Sequence, residues 1–235
     1  MKKRGYALCW SIVALLSVAL WSSIAAAQGQ LIDIFVHSPA LEGNLLGDSA
    51  DRNVTVYLPP GYDDNANQRY PVLYMLHGYT ASNQMWRGSQ YVSGLNIGRI
   101  ADGLIAEGQI QPMILVMPDG ENTYWGSWYA NSSVTGNWED FVVRDLVEYV
   151  DSMYRTLPQS ASRGIVGHSM GGHGAMKLAI KHPEVYSVVY AMSAAAIAMN
   201  EYITGAQDNI LRAQTRDKFG AKDGANWLVQ VTIAA

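Results

Sequence analysis

The chain has 235 residues, of which 49% are hydrophobic and 15% are charged, and its formal net charge is −4. This length and composition are sufficient for one substantial hydrophobic core and argue against a disordered or fibrous protein. The acidic balance argues against nucleic acid as a partner, because nucleic-acid binding relies on a surplus of basic side chains.

Residues 1–27 have the layout of a secretory signal peptide. Basic residues at positions 2–4 precede an apolar run over residues 7–21, and three alanines end the segment at positions 25–27. We expect cleavage after Ala27, a mature domain over residues 28–235, and a periplasmic or secreted bacterial protein. An uncleaved membrane anchor is the alternative, which the short apolar run disfavours. No membrane span is expected after cleavage, and the single cysteine, Cys9, leaves with the leader.

Three apolar segments of the mature chain are predicted strands. Residues 52–62 alternate apolar and polar side chains and end in Pro-Pro-Gly, which indicates a half-exposed antiparallel strand followed by a turn. Residues 70–78 and 112–120 carry denser apolar runs that end in glycine, which is typical of buried parallel strands.

The second half of the chain alternates helices and strands. Asn137 is a predicted N-cap for a helix whose apolar face would comprise Val142, Leu146, Tyr149, Val150 and Met153. A short strand over 163–166, a helix over 171–183 and a strand over 185–194 follow. This alternation predicts an α/β fold with a doubly wound, mostly parallel sheet.

Residues 167–171 read Gly-His-Ser-Met-Gly between the predicted strand and the predicted helix. That context favours a nucleophile elbow, in which Ser169 sits on a strained turn and the backbone N–H of Met170 faces the same space. Gly167 and Gly171 would be required because larger side chains collide across such a turn. A glycine-rich turn with no chemistry is the alternative.

Several segments carry a family resemblance in a consistent order: SPALEGN (38–44), VYLPPGYD (56–63), YPVLYMLHGYT (70–80), MPDG (117–120), WGSWY (125–129), WEDFVVRDLVEYVDSMYRT (138–156) and GHSMGGHGAMKLAIKHPEVY (167–186). Together they resemble the esterase D family of α/β-hydrolases. That family includes secreted feruloyl and acetyl-xylan esterases, S-formylglutathione hydrolases, siderophore esterases and mycolyltransferases.

The resemblance implies a serine carboxylesterase. The sequence has no glycine-rich phosphate loop, metal-ligand cluster or cofactor motif, so no cofactor and no metal are expected. Ser169 matches the family nucleophile, and the backbone N–H groups of Met170 and Tyr79 match the two oxyanion donors. His77 and Gly78 match residues that hold the loop before Tyr79, so His77 is not the expected base.

The chain departs from the family in its catalytic triad, whose acid and histidine follow the serine in this fold. Asp208, Asp217 and Asp223 follow Ser169, but the last histidine of the sequence is His182. His168 and His173 flank the nucleophile on its own turn and helix, where a general base is poorly placed. We therefore expect either a C-terminally incomplete sequence that stops before the last strands, or a degenerate homologue. In both cases the chain itself should hydrolyse activated esters slowly at best.

Aromatic residues concentrate over residues 121–138, just after a predicted strand end, where ligands bind in this architecture. Trp125, Trp128 and Tyr129 are the predicted substrate-binding residues, since their faces can stack on a sugar ring or an aryl acyl group. The alternative is that these rings only pack the loop onto the sheet.

The predicted function is hydrolysis of a small-molecule or glycan-linked ester. Acyl transfer to a sugar acceptor and non-catalytic ligand binding by an exported protein remain alternatives.

Overall fold

A computed structural model of the protein describes residues 28–88 and 95–195. The predicted signal peptide and everything after residue 195, including the predicted early end of the sheet, lie outside the described residues. Within the described ranges, the model contains no helix that is both long and apolar enough to cross a membrane.

The described elements alternate along the chain. The strands are β1 (Gln30–His37), β2 (Asp51–Leu58), β3 (Val72–Leu76), β4 (Ile114–Pro118), β5 (Asn131–Ser132), β6 (Gly136–Asn137), β7 (Arg163–His168) and β8 (Val188–Met192). Helix α1 is Ile97–Ala106, helix α2 covers residues 138–153, and helix α3 is Met170–Lys181. Short 3₁₀ turns occupy Pro39–Leu41, Tyr62–Asp64, Asn83–Arg87 and Ser160–Ser162.

Six of the described strands form one sheet in the order β1-β2-β4-β3-β7-β8. The β1/β2 and β2/β4 pairs are antiparallel, whereas β4/β3, β3/β7 and β7/β8 are parallel. The remaining strands, β5 and β6, form a small antiparallel hairpin. The predicted α/β class with a mostly parallel sheet is confirmed.

Side-chain alternation along the central strands supplies two cores, one on each face of the sheet. On one face Val72, Tyr74 and Leu76 of β3 pack with buried side chains of α2 and α3. On the other face Met75 packs with the turn at Asn83–Arg87 and with Ala101 of α1. Helices therefore cover both faces, as a doubly wound sheet requires.

Two features of the first half differ from the sequence prediction. Strand β2 is not half-exposed: Thr55 and Tyr57, on the face predicted to be polar, are fully buried. The reason is that α1 and the Asn83–Arg87 turn cover that face. Strand β1 and helix α1 were not among the predicted elements, although more exposed and less exposed side chains alternate along β1 over residues 32–37.

Helix α2 is less regular than its sequence suggests. It consists of α-helical Trp138–Asp140, π-helical Phe141–Asp145 and α-helical Leu146–Met153. Asn137 occupies the predicted N-cap position, but its side chain makes no capping hydrogen bond. Met153 does not belong to the apolar face either, because it is 62% exposed.

The strand order places a topological switch at β3. The chain passes from β3 to its neighbour β4 on one side and later returns as β7 on the other side. The carboxyl ends of β3, β4 and β7 therefore meet at one edge of the sheet, which is where open α/β sheets form their ligand sites.

Candidate active site

Ser169 joins β7 to α3 in a strained backbone conformation. Its φ and ψ are 55° and −116°, a combination that non-glycine residues rarely adopt and that persists only where the surroundings enforce it. The Ser169 N–H donates to the carbonyl of Met192 at 2.9 Å, and the Ser169 carbonyl accepts from the N–H groups of His173 and Ala195, each at 3.0 Å. Both sides of the serine backbone are thus fixed.

The glycines around Ser169 leave no room for side chains. A Cβ added at Gly167 would lie 2.1 Å from the carbonyl oxygen of Gly171. A Cβ at Gly171 would lie 2.2 Å from the carbonyl oxygen of Leu76, and one at Gly172 would lie 2.8 Å from that of Met192. The first turn of α3 therefore packs directly on backbone atoms of β3 and β8.

The end of β3 runs beside the serine. Leu76 pairs with Gly167 in the parallel register, so Gly78 comes next to Ser169. A Cβ at Gly78 would lie 3.4 Å from the Cβ of Ser169 and equally far from Nδ1 of His168.

Two backbone N–H groups belong to the segments next to Ser169. Met170 opens helix α3, where N–H groups have no intrahelical acceptor, and Tyr79 follows Gly78. Neither N–H donates to another group within the described ranges. Because the positive end of the α3 dipole lies at Met170, an oxygen placed between these donors and carrying negative charge would be stabilised.

A loop over residues 122–129 contacts Thr80 and the side chains of Tyr79 and Met170. The Thr80 N–H donates to the carbonyl of Trp125 at 2.8 Å. A Cβ at Gly126 would lie 2.5 Å from Sδ of Met170 and 2.9 Å from the ring of Tyr79. The backbone is left-handed at Trp125, Trp128 and Tyr129, with φ of 70°, 54° and 51°, so this aromatic loop is held in an unusual conformation.

The three predicted substrate-binding residues differ sharply in exposure. Trp125 is 39% exposed, Trp128 is 5% exposed and Tyr129 is fully buried. The Trp128 ring lies between Tyr79, at 6.4 Å between ring centroids, and His173, at 5.8 Å. Trp125 is thus the member of this set that offers a substantial exposed surface.

Tyr129 is a packing residue of the loop, which is the alternative that the sequence left open. A Cβ at Gly120 or at Gly174 would lie 2.6 Å from its ring, so the ring is enclosed between the β4 end and α3. Its hydroxyl donates to the carbonyl of His77 at 3.1 Å. A ligand on the surface does not reach this side chain.

The histidines are engaged in different ways. His77 is fully buried, with Nδ1 2.8 Å from the Gly78 carbonyl and Nε2 2.7 Å from the Gly120 nitrogen. His37 is an exposed partner of Asp51 and Glu42, whose hydrogen bonds raise its pKa. His182 contacts Glu139 and Glu184.

The two histidines nearest to the serine do not bond to it. His168 is exposed, and His173 is half-buried against Trp128. Burial and the positive charge of Lys177 lower the pKa of His173, which keeps its imidazole neutral. Among the described residues, no histidine is hydrogen-bonded to Oγ of Ser169.

A charge cluster around the buried Glu139 contacts the aromatic loop through Lys177, and it was not predicted from the sequence. Glu139 is 5% exposed and contacts Lys181 at 2.6 Å, His182 at 2.9 Å and Lys177 at 3.5 Å. Lys177 also donates to the carbonyl of Tyr129 at 2.8 Å. Lys177 and Lys181 are four residues apart and so share one helix face, which could have indicated a common acidic partner. That partner, Glu139, precedes them by 38 and 42 positions, so the sequence pattern does not identify it.

The pKa values in the cluster follow from burial opposed by pairing. Burial lowers the pKa of Lys177, although Glu139 opposes this. Burial alone would raise the pKa of Glu139, but hydrogen bonds from Lys181 and His182 hold it below its ordinary value. Glu139 is therefore ionised at neutral pH.

The mixed sheet, the switch at β3 and the strained serine between β7 and α3 define an α/β-hydrolase fold. A model of the family described as "Esterase: Putative esterase" matches residues 49–233, and the chain belongs to this family of carboxylic ester hydrolases.

Individual relatives agree with this assignment. Esterase Rv1288 of Mycobacterium tuberculosis is 36% identical over 133 residues, 55% of this chain and 26% of that protein. An endo-1,4-beta-xylanase/feruloyl esterase of Xylanibacter ruminicola is 30% identical over 138 residues, 57% of this chain and 18% of that protein. The chain thus spans about a quarter or less of the length of these relatives.

Solved structures show the same fold. A ferulic acid esterase superposes with a TM-score of 0.61 at 30% identity, covering 72% of this chain and 59% of that one. The S-formylglutathione hydrolase FrmB of Staphylococcus aureus superposes with a TM-score of 0.57 over 88% of this chain and 74% of that one, at 21% identity, a likeness of fold.

The elbow packing predicts opposite effects for two glycine substitutions. Gly171→Ala should destabilise the protein by at least about 2 kcal/mol, because its methyl group would meet backbone carbonyls that cannot move aside. Gly103→Ala, in the interior of α1 with nothing within 4 Å of the added Cβ, should stabilise it by about 0.5–1 kcal/mol. Urea unfolding of both variants checks this, and equal effects would contradict the described packing.

The charge cluster predicts a pH-dependent stability loss for Glu139→Gln. At pH 7 we expect the free energy of unfolding to fall by about 1–3 kcal/mol, because the mostly buried Lys177 loses its counter-ion. The pKa of Glu139 is lower in the folded protein than in the unfolded chain, where it is about 4.3. The stabilisation from the ionised carboxylate is therefore complete above about pH 4.3, and it is lost as the pH falls through the pKa of the folded protein.

The matched control is Glu148→Gln, an exposed position on the same helix, which should change stability by no more than about 0.5 kcal/mol. Unfolding free energies of both variants at pH 7 and pH 3 test the claim. A Glu139→Gln deficit as large at pH 3 as at pH 7 would show that the carboxylate charge is not responsible.

Proposed function

We propose that the chain is an exported serine carboxylesterase with Ser169 as its nucleophile. The observation that carries the proposal is the strained Ser169, whose neighbouring segments carry the N–H groups of Met170 and Tyr79, neither of which has an acceptor within the described ranges. A residue held in a disfavoured conformation by its surroundings, beside donors without partners, is the arrangement expected of an acyl-transfer site. Export rests on the signal-peptide layout of residues 1–27.

The proposed chemistry proceeds in two displacements. Oγ of Ser169 attacks the ester carbonyl carbon, its proton passes to a base, and the carbonyl π electrons move to the oxygen between Tyr79 and Met170. When the carbonyl re-forms, the alcohol leaves with the electron pair of the broken C–O bond and takes up a proton. Water then attacks the acyl-serine and releases the acid. We assign the base to none of the five histidines, because none is hydrogen-bonded to Oγ within the described residues.

The proposed substrate is an ester of an aromatic acid, such as a feruloyl group attached to a glycan. Two observations support this class: the partly exposed Trp125 lies on the loop that contacts Tyr79 and Met170, and similar proteins carry the name feruloyl or ferulic acid esterase. An aromatic acyl group can stack on such a ring, and an acetyl group cannot.

A non-catalytic binding protein is the second candidate. It is favoured by one specific observation, namely that no histidine within the described ranges is hydrogen-bonded to Ser169. Such a protein would keep the aromatic loop and the donors but would form no covalent bond with an ester or a phosphonate.

The nucleophile assignment predicts covalent labelling by a fluorophosphonate. We expect slow, stoichiometric labelling of the wild-type protein that Ser169→Ala abolishes, because phosphonylation uses the same serine and the same oxyanion donors. Ser152→Ala, at an exposed serine of α2, should be labelled as the wild type is. Intact-protein mass spectrometry measures the adduct. A folded wild-type protein that stays unlabelled would favour the binding protein.

The substrate class predicts a selective effect at Trp125. In a Ser169→Ala background, which prevents turnover, Trp125→Ala should weaken the binding of methyl ferulate about three- to tenfold, as expected for loss of one aromatic contact. Phe35→Ala, which removes a ring that is 68% exposed on β1, should leave the affinity unchanged. Calorimetric titration measures both, and equal dissociation constants in the two variants would contradict a role of Trp125 in binding.

A further inference from the structure

The partly exposed Trp125 is carried by a tight turn that begins at Asn122. The Trp125 N–H donates to the Asn122 carbonyl at 2.8 Å, which closes the turn around the two residues between them. The Asn122 side-chain oxygen accepts from the N–H groups of Tyr124, at 2.9 Å, and Gly126, at 3.1 Å. These hydrogen bonds lie within the loop, so they shape the turn but do not fix its place on the protein.

The backbone of Trp125 depends on contacts that reach outside the turn. Its φ of 70° is disfavoured for a residue other than glycine and persists only where the surroundings enforce it. The Trp125 carbonyl accepts the N–H of Thr80 at 2.8 Å. One end of the turn is thereby fixed to the segment after β3.

Asp48 fixes the other end of the turn. Its Oδ1 accepts the Thr123 N–H at 3.0 Å and the Thr123 hydroxyl at 2.9 Å, and its Oδ2 lies 3.2 Å from the same backbone nitrogen. The carboxylate belongs to the segment between β1 and β2, 75 positions earlier in the chain. An ionised acceptor that bonds two donors of one residue determines both the place and the orientation of that residue.

Asp48 is itself held by its own segment. The Asn44 side-chain oxygen accepts the Asp48 N–H at 3.0 Å, and the Asn44 amide group donates to the Asp48 carbonyl at 2.7 Å. The same amide group donates to the carbonyl of Leu41 at 2.9 Å, and the side chain of Leu41 is buried in the core. The carboxylate that bonds Thr123 is therefore presented from a backbone that the core anchors.

We propose that Asp48 is a positioning residue for the Trp125 ring. Asp48 acts through Thr123 and not by contact with a ligand: with Thr123 fixed on one side and the Trp125 carbonyl on the other, the turn keeps the backbone that directs the ring. For its effect on affinity this rests on the proposed substrate class, but the place of the turn is a property of the protein with or without a ligand.

Two substitutions at Asp48 separate its hydrogen bonds from its charge. Asp48→Asn keeps an oxygen that can accept both Thr123 donors, whereas Asp48→Ala removes the acceptor. In the Ser169→Ala background we expect Asp48→Ala to weaken methyl ferulate binding about three- to tenfold, as for loss of one aromatic contact, and Asp48→Asn to stay within about twofold. Calorimetric titration measures both. Equal losses of affinity in the two variants, or no loss in Asp48→Ala, would overturn the proposal.

The matched control is Asp64→Ala in the same Ser169→Ala background. Asp64 is exposed and follows the carboxyl end of β2, which runs antiparallel to β4 and so ends at the opposite edge of the sheet from the site. The affinity for methyl ferulate should not change. A loss as large as that of Asp48→Ala would show that removal of any such carboxylate weakens binding, and would overturn the proposal.

A double-mutant cycle with Trp125→Ala distinguishes positioning of the ring from general damage to the site. If Asp48 acts through the ring, Asp48→Ala has nothing further to displace once the ring is absent. The double variant should therefore bind methyl ferulate within about twofold of Trp125→Ala alone. A further three- to tenfold loss in the double variant, about what one aromatic contact supplies, would show that Asp48 acts independently of Trp125 and would overturn the proposal.

Crystal structures decide the question if methyl ferulate does not bind. That result would remove the proposed substrate class, whereas a wild-type protein that a fluorophosphonate does not label would count against the nucleophile alone, since the titrations use Ser169→Ala. The turn should keep its place and Trp125 its left-handed backbone in Asp48→Asn, and both should change in Asp48→Ala. An unmoved turn in Asp48→Ala overturns the proposal.

Thr123→Val replaces Asp48→Ala if that variant does not fold. It removes the hydroxyl donor and keeps the N–H, so we expect affinity to fall about two- to fivefold, as for loss of one hydrogen bond, and the turn to move in the crystal structure. Unchanged affinity together with an unmoved turn is the contrary result.

Discussion

The close approach of helix α3 to the end of β3 is the constraint on which the site depends. Gly171 lies against the carbonyl groups of Leu76 and His77 so tightly that even a methyl group would overlap them. This contact sets the sharp turn at Ser169 and brings Gly78 alongside it. One backbone-to-backbone contact therefore positions the serine, the helix N-terminus and the β3 loop relative to each other. The strain at Ser169 persists because the sheet on one side and the helix on the other allow no relaxed alternative.

A series of side-chain contacts connects helices α2 and α3 to the end of β3. Glu139 on α2 forms an ion pair with Lys177 on α3. Lys177 donates a hydrogen bond to the carbonyl of Tyr129, whose hydroxyl donates one to the carbonyl of His77. This chain of contacts links two helices to the loop that carries the Tyr79 N–H. These contacts connect the Glu139–Lys177 pair to the backbone of His77, two residues before Tyr79.

The sequence predicted those parts of the fold and site whose signals are local. The dense apolar runs ending in glycine identified β3 and β4, and the Gly-His-Ser-Met-Gly segment identified the turn before α3. Long-range features were beyond it: the burial of Tyr129 depends on Gly120 and Gly174, which meet its ring only in the folded chain. The local pattern also did not indicate the π-helical segment Phe141–Asp145. Nor did it indicate that the Asn137 side chain would make no capping hydrogen bond.

The crystal structure of the phosphonylated protein tests the proposed site most directly. We expect phosphorus bonded to Oγ of Ser169, with one phosphonyl oxygen about 2.7–3.1 Å from both the Tyr79 and Met170 nitrogens. An adduct whose oxygens all point to solvent, with those two N–H groups left without an acceptor, would contradict it.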